Sequence, residues 1–361
     1  MGPAAVTPLA DRLAARIAVD GPMRVADYMA ACLLDPDHGY YATREPFGTG
    51  GDFITAPEIS QMFGELLGLA LAQAWADQGG PARVALAELG PGRGTLMADL
   101  LRAARALPPF AAALEVHLVE ASARLRAEQA ARLEGYAPVW HDRVDTLPEA
   151  PLFLVANEFF DALPVRQFVR HPKGWCERMV GAQAGRLVWG LSPPAPLSAL
   201  DHRLADTVPG EVVERCPAAP GIIEAVAGRI ARHGGAGLVI DYGGWRSRGD
   251  TLQALHRGAP DDPLGHPGRA DLTAHVDFEP LAQAIRAAGA AVAGPVGQGA
   301  LLRRLGIDAR AERLAHGLTG DALQAHRAAH RRLTDPAEMG TLFQALAIHP
   351  PAQAPPPGFD P

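Results

Sequence analysis

The sequence predicts an α/β fold built on an open, doubly wound sheet. Apolar runs of strand length alternate with helix-like segments, an order that places parallel strands between layers of helices. The runs are almost unbroken, which is typical of strands buried on both faces. A glycine-rich turn follows the first strand and opens a helix, which is the setting of a nucleotide-type binding loop. The predicted strands lie at residues 84–89, 114–119, 139–140, 152–156 and 236–240.

The 361 residues exceed the ~250–300 at which a single core usually splits, so we expect inserted elements or two unequal lobes. Short runs separated by glycine turns predict an inserted antiparallel meander. The polar stretch between Trp245 and Asp277 is predicted to be a long loop. The expected parts are an N-terminal helical extension with an active-site lid (residues 1–80), the core (81–165 and 219–345), the meander (166–218) and a disordered tail (350–361).

Composition excludes several classes of protein. A net charge of −7 gives no electrostatic sign of a nucleic-acid partner. The three cysteines are far apart, so neither a disulfide framework nor a metal ion is expected. No apolar run reaches the ~18 residues that a membrane span needs, and the first residues carry no signal core or clear transit peptide. We therefore expect a cytoplasmic protein; its oligomeric state stays open, with a homodimer among the possibilities.

The spacing of the glycines indicates the ligand. Gly90, Gly92 and Gly94 are two apart, unlike the G-x-G-x-x-G of dinucleotide sites, and Glu88 precedes them. Glycines collect in many strand-to-helix turns, so the acid carries more weight than the glycines. Glu88 is poorly suited to face phosphate but suits a positively charged amino group. S-adenosylmethionine has such a group next to a sulfonium and carries no phosphate.

Three further residues are candidates for cofactor binding. Glu120 ends the second strand, where ribose hydroxyls need an acceptor. Asp142 follows the short third strand and is a candidate for contact with the adenine amino group. Thr55 follows a glycine loop at a helix N-terminus, which would suit a lid over the methionine carboxylate. A plain helix entry is the alternative for this last segment.

Polar side chains also follow the fourth strand. Asn157, Glu158 and Asp161 would stand beyond its carboxyl end, where open α/β sheets bind ligands. They are candidate catalytic residues, and Asn157 is also a candidate for cofactor binding. Carboxylates there could localise the charge of a guanidinium, which stays protonated in water. Asp271 is a further candidate carboxylate, and His275 a candidate base. The alternatives are a capped helix start for the first group and a structural histidine for His275.

Together these segments resemble the MidA-like family, which includes a mitochondrial complex I assembly factor that acts as a protein arginine methyltransferase. The resemblance implies a seven-stranded class I methyltransferase (Rossmann-like) sheet with inserted elements and the use of S-adenosylmethionine. It also implies an arginine substrate on a partner protein, such as a subunit of a respiratory complex. The matching segments are residues 39–41, 51–58, 63–65, 88–95, 157–164, 241–243 and 271–278.

Two other function classes remain open at this point. A non-enzymatic assembly or interaction protein could keep the same ligand-binding fold without turnover. A nicotinamide-dependent oxidoreductase would share the sheet, although the absence of G-x-G-x-x-G argues against it.

Overall fold

The structure is a computed structural model that describes residues 7–43 and 55–359. The chain divides into two compact units, which we describe separately. The larger unit contains described residues 55–160, 220–245 and 278–359. The smaller unit contains residues 7–43, 161–219 and 246–277.

The bounds of the secondary-structure elements are as follows. The helices are α1 (Pro8–Asp20), α2 (Val25–Leu34), α3 (Tyr40–Thr43), α4 (Ala56–Ile59), α5 (Gln61–Asp77), α6 (Thr95–Ala104), α7 (Pro108–Ala113), α8 (Ala123–Arg132), α9 (Ala219–His233), α10 (Phe278–Ala287), α11 (Gln298–Arg304), α12 (Ile307–Ala315), α13 (Gly320–Thr334) and α14 (Met339–Leu342). The strands are β1 (Met23–Arg24), β2 (Val84–Leu89), β3 (Leu114–Val119), β4 (Val139–His141), β5 (Leu152–Asn157), β6 (Arg166–His171), β7 (Gly174–Gln183), β8 (Arg186–Leu191), β9 (Val212–Arg215), β10 (Gly235–Gly244), β11 (Gln253–His256), β12 (Ala259–Asp261), β13 (Asp271–Thr273), β14 (Val276–Asp277), β15 (Ala291–Gly297) and β16 (Phe343–His349).

The larger unit contains a seven-stranded sheet in the order β4-β3-β2-β5-β10-β16-β15. The strands from β4 to β10 are parallel, and β16 runs antiparallel to both β10 and β15. Strand β2 lies between β3 and β5, with Glu88 in register with Leu118 and Val155. This arrangement confirms the predicted doubly wound sheet.

Burial explains why the sequence forms this sheet. Every residue of β2 and of β5 is buried, as expected for strands covered on both faces. Helix α5 is also buried over most of its surface, including Phe63 and Leu67, in the same apolar cluster as Leu86 and Phe153. Residues 55–80 therefore group with the core, whereas the sequence analysis placed them in the N-terminal extension.

The smaller unit begins with α1 and α2, which are separated by a turn at Gly21. Leu9, Leu13, Tyr28 and Met29 are all buried, which gives this helical region an apolar face within the unit. Strands β6, β7 and β8 form the predicted antiparallel insertion, and β9 and β1 extend the sheet.

The structure differs from the sequence analysis between residues 245 and 277. We predicted a long loop, whereas β11, β12 and β13 form a three-stranded antiparallel sheet in the smaller unit. The strands have four, three and three residues. Such short strands give too few alternating positions for a period-two pattern to emerge among the surrounding glycines and prolines.

The carboxyl-terminal segment differs as well. We predicted disorder for residues 350–361, but the structure describes residues up to Phe359, which is only 5% exposed and belongs to the core cluster of the larger unit. Arg304 donates a hydrogen bond to the carbonyl oxygen of Gly358 (3.1 Å). One aromatic side chain thus anchors a proline-rich segment whose composition alone suggested disorder.

Candidate active site

A glycine turn joins β2 to α6 at the carboxyl end of the parallel strands. Gly90, Gly92 and Gly94 have φ values of 62°, 51° and 76°, in the left-handed region that favours glycine. A Cβ atom at Gly90 would lie 2.9 Å from Cδ2 of Phe159. The backbone of this turn is therefore bare because both its conformation and its packing exclude side chains.

Glu88 is a buried acid beside this turn. Glu88 is only 3% exposed. The backbone N–H of Met97, in the first turn of α6, donates a hydrogen bond to the Glu88 carboxylate. Burial raises the pKa of Glu88 to about 8 and is the largest effect. The hydrogen bond from Met97 lowers this pKa, and the negative charge of Glu120 raises it by a smaller amount. Among the described residues, Oε2 of Glu88 has no hydrogen-bond partner. A cation placed at this oxygen would favour the ionised carboxylate.

This raised pKa predicts how stability depends on pH. The folded pKa of about 8 exceeds the ordinary glutamate pKa of 4.5, which applies to the unfolded chain. The protonated carboxyl therefore contributes its full stability below about pH 4.5, and this contribution is lost as the pH rises through about 8. We expect Glu88→Gln, which stays neutral, to gain stability relative to wild type across this window.

Urea unfolding of the cofactor-free proteins at pH 5 and pH 8 measures this difference. Glu134→Gln, at an exposed position on the same unit, is the matched control and should show no such trend. An equal stability difference between wild type and Glu88→Gln at both pH values would contradict the raised pKa.

Glu120 follows β3 and is connected to the glycine turn through one buried amide. The Glu120 carboxylate accepts hydrogen bonds from the backbone N–H of Ser122 (2.8 Å) and from Nε2 of Gln129 (3.3 Å). The same nitrogen of Gln129 donates to the carbonyl oxygen of Gly92 (2.7 Å), and Trp140 Nε1 donates to Gln129 Oε1 (2.8 Å). Sequence reasoning missed Gln129, because a lone glutamine on a helix carries no motif.

Asp142 lies near Glu120 but at the surface. Its side chain is 82% exposed and forms an ion pair with Arg126, which also donates to the backbone oxygen of Glu120. Asp142 is therefore placed beside the end of β3 and β4, as the sequence suggested. Its present partner is an arginine.

The end of β5 and the turn that follows it contain two of the predicted catalytic residues, Asn157 and Glu158. Glu158 has a φ of 50°, a left-handed conformation that is uncommon outside glycine. Its Oε1 accepts hydrogen bonds from the backbone N–H of Ala56 (3.1 Å) and from Nδ2 of Asn157 (3.1 Å). Asn157 is 8% exposed, and its Oδ1 has no partner within residues 7–43 and 55–359. Backbone strain of this kind is concentrated at functional sites.

Asp241 on the neighbouring strand β10 holds this turn in place. It is fully buried, and its Oδ2 accepts hydrogen bonds from the backbone N–H groups of Phe159 (3.2 Å) and Phe160 (2.9 Å). The N–H of Glu158 donates to the carbonyl oxygen of Ile240 (3.0 Å). Asp241 was noted in the sequence only as part of a matching segment. Its signal was an acid within an otherwise apolar strand.

Thr55 is the N-cap residue of α4, with extended backbone angles and no capping hydrogen bond from its own side chain. The N–H of Ala56, the first residue of that helix, is instead bound by Glu158. The glycine loop of residues 50–51, which suggested a lid, lies outside the described residues. The predicted role of Thr55 therefore remains a prediction.

The remaining candidates belong to the smaller unit, where Asp161 and Asp271 lie near one half-buried tyrosine, Tyr41. The hydroxyl of Tyr41 donates to Asp271 Oδ1 (3.3 Å), and both aspartates are 5% exposed. Burial, followed by the charges of Asp271 and Asp161, raises the pKa of Tyr41 well above its usual value. Tyr41 therefore stays protonated and serves as a donor to Asp271; the sequence analysis assigned it no role.

His275 follows Asp271 along the chain. Its backbone N–H donates to Oγ1 of Thr251 (2.8 Å), and burial lowers the pKa of its imidazole. A neutral imidazole can accept a proton at pH 7, which suits a base.

Comparison with known proteins identifies the family. Residues 66–296 match a family model described as "Putative S-adenosyl-L-methionine-dependent methyltransferase". The chain belongs to this family. The predicted enzyme class and cofactor are confirmed, and the non-enzymatic and nicotinamide-dependent alternatives are set aside.

Relatives and solved structures agree with this methyltransferase assignment. "Protein arginine methyltransferase NDUFAF7, mitochondrial" of Xenopus tropicalis is 38% identical over 327 residues, which cover 83% of this chain and 76% of the relative. The human protein of the same name is 38% identical over 330 residues, covering 84% and 74%. A Burkholderia thailandensis protein crystallised with S-adenosyl-homocysteine superposes with a TM-score of 0.81 at 32% identity, covering 100% of this chain and 96% of that one.

The predicted cytoplasmic location is wrong by these comparisons. The relatives from frog and human are named mitochondrial, which points to a mitochondrial and not a cytoplasmic location for such methyltransferases. The prediction depended on the composition of the first residues, which does not determine where a protein acts. Separately, none of the helices in the described ranges is long and apolar enough to cross a membrane.

Proposed function

We propose that this methyltransferase transfers the methyl group of S-adenosylmethionine to a guanidinium nitrogen of arginine in a partner protein. The observation that carries the proposal is the 38% identity, over more than four fifths of the chain, to relatives named protein arginine methyltransferase. By the family resemblance, we further propose that the partner is a subunit of a respiratory complex.

The larger unit supplies groups that fit the cofactor. We assign the unpartnered oxygen of Glu88 to the ammonium group, because a buried acid with one open acceptor suits a cation. The bare backbone of Gly90, Gly92 and Gly94 would allow close approach of the ligand. Glu120 would accept hydrogen bonds from the ribose hydroxyls. Asp142 would contact the adenine amino group after release from Arg126, and Thr55 would lie near the methionine carboxylate.

The acceptor chemistry requires groups that orient a guanidinium. When bound, S-adenosylmethionine supplies an electrophilic methyl group on a sulfonium, and transfer to nitrogen releases one proton from that nitrogen. We assign Glu158 and Asn157 to orientation of the acceptor, because Asn157 Oδ1 has no partner in the described part of the chain and Glu158 is held in a strained conformation. A carboxylate near the nitrogen also favours localisation of the guanidinium charge and can accept the proton.

Asp161, Asp271 and His275 are further candidates for the reaction. The two aspartates are buried, and Tyr41 orients Asp271 by its hydrogen bond. Carboxylates bind a guanidinium through paired hydrogen bonds, so these residues suit an arginine substrate. His275 is assigned to proton removal, since burial favours its neutral form.

The test is methyl transfer to proteins of a cell extract from radiolabelled S-adenosylmethionine. We expect label in one or a few proteins and, after acid hydrolysis, in methylarginine. Glu158→Ala should reduce the labelling rate by at least about 100-fold if it orients the acceptor, since lost orientation can cost several kcal/mol. Glu134→Ala, which removes an exposed carboxylate of the same unit, is the matched control and should label at the wild-type rate.

Mass spectrometry of the labelled band identifies the partner. Label recovered in methyllysine, methylhistidine or a small molecule would contradict the arginine assignment. Full activity of Glu158→Ala would remove that residue from the acceptor site while leaving the arginine assignment intact.

A further inference from the structure

A cluster of three metal-binding side chains lies in the smaller unit, outside the residues assigned above. His256 ends β11, Asp261 ends β12, and His266 lies in the turn that follows. One donor atom from each residue lies within 4.8 Å of the other two. Within residues 7–43 and 55–359, no other group of three His, Cys, Asp or Glu residues meets this separation. The three residues are spaced five apart in the sequence, a pattern that the sequence analysis did not interpret.

The side chains are already partly organised. The two imidazole rings stack with centroids 4.1 Å apart and planes inclined by 28°. Nδ1 of His266 lies 2.6 Å from Oδ2 of Asp261, and all three residues are half-buried. The neighbouring acid, Asp262, is not one of the three metal-binding residues. Its carboxylate accepts a hydrogen bond from the backbone N–H of Leu264 (2.9 Å) within the turn.

The segment that carries these residues is fixed to the helices of the same unit. The hydroxyl of Tyr28 donates to the carbonyl oxygen of Pro263 (2.6 Å), and the hydroxyl of Thr7 donates to that of Pro267 (2.8 Å). Both tethers connect the turn to the first helices of the chain. Because the turn is held on either side of His266, little backbone freedom would be lost on binding an ion.

We propose that His256, Asp261 and His266 bind one divalent first-row transition-metal ion, with zinc as the reference ion. Two imidazoles and one carboxylate suit zinc, nickel, copper or cobalt, whereas calcium and magnesium prefer all-oxygen sites. Bonds of about 2.0–2.1 Å in a tetrahedral site place donor atoms about 3.3 Å apart. Rotation of the side chains can close donor separations of up to 4.8 Å to that value. Water would occupy the fourth position.

The ion would link the hairpin of β11 and β12 to the turn that carries His266, and it would thereby stabilise the three-stranded sheet. Leu255, which precedes His256, is in register with Asp271 of β13. The site would therefore stabilise the strand on which Asp271 lies. Metal binding at this site is independent of the methyl acceptor, since it is measured on the isolated protein.

The test is titration of the EDTA-treated full-length protein with Zn²⁺, followed by calorimetry and by competition with a chromophoric chelator. We expect one high-affinity equivalent in wild type and an increase in melting temperature on its addition. His256→Ala and His266→Ala should each weaken binding at least tenfold and lose the increase in melting temperature. Co²⁺ added in place of zinc should give the visible absorption of a tetrahedral site in wild type only.

His316→Ala, an exposed histidine in the other unit, is the matched control and should bind as wild type does. Circular dichroism without metal checks that the variants fold, and His266→Gln replaces His266→Ala if the latter does not. Unchanged stoichiometry and affinity in the folded His256 and His266 variants, or no high-affinity equivalent in wild type, would overturn the proposal.

Discussion

Replacing Gly90 with valine is expected to weaken binding of S-adenosylmethionine by at least about 100-fold, which corresponds to about 2.7 kcal/mol. A φ of 62° costs an L residue on the order of 1–2 kcal/mol, and a β-branched side chain tolerates it poorly. The added Cβ would also lie 2.9 Å from the ring of Phe159. The ring or the turn must then move, and both lie at the proposed cofactor site. Calorimetric titration with the cofactor measures the loss.

Gly79→Val separates backbone strain from crowding at the site. Gly79 has a φ of 84°, but a Cβ there would meet no atom within 4 Å. This variant should lose stability to a similar degree and yet bind the cofactor as wild type does. A folded Gly90→Val protein whose dissociation constant stays within about threefold of wild type would remove the glycine turn from the binding site.

Asp241→Asn is expected to lower kcat by about 10- to 100-fold. The amide keeps the size of the side chain but replaces one acceptor oxygen with a donor, so at least one of the backbone N–H groups that it binds loses its partner. A hydrogen bond to a charged group contributes about 1.5–3 kcal/mol, which corresponds to that range of rate. Oδ2 of Asp241 binds the N–H groups of both Phe159 and Phe160, whereas Oδ1 binds the N–H of Tyr242. The turn that carries Glu158 is therefore released when the amide nitrogen takes the position of Oδ2.

The control for general destabilisation is Glu65→Gln. Glu65 is also buried in the larger unit and forms ion pairs with Arg102 and Arg310, but it has no hydrogen bond to the turn after β5. Glu65→Gln should lower the free energy of unfolding while kcat stays near the wild-type value. If the two variants lose stability and activity in the same proportion, Asp241 acts on the fold as a whole and does not position the turn.

The sequence predicted the elements that carry strong local signals. Strand β2 and its glycine turn were predictable because an apolar run buried on both faces ends at residues that only glycine fits. The antiparallel insertion was predictable because turns at Gly174 and Gly185 separate its strands. The role of Glu88 as a binding acid stays a prediction, but its burial is now established.

Other features depend on contacts between distant parts of the chain, which no local pattern reports. Gln129 reaches Gly92 across 37 positions, and Asp241 reaches Phe160 across 81. The packing of Phe359 likewise requires the apolar surface around Leu301, which is far away in the sequence. The proline content of that tail suggested disorder, and it does not reveal that one aromatic residue packs in the core.

The contacts of Gln129 restrict which substitutions are tolerated around it during evolution. Its amide is fully buried and bound on three sides, by the oxygen of Gly92, the carboxylate of Glu120 and the indole of Trp140. A descendant that exchanges Glu120 or Trp140 must keep a compatible partner for the Gln129 amide, whereas the oxygen of residue 92 belongs to the backbone. Divergence at Gln129, Glu120 and Trp140 should therefore be concerted, so that related chains either retain all three side chains or replace them together.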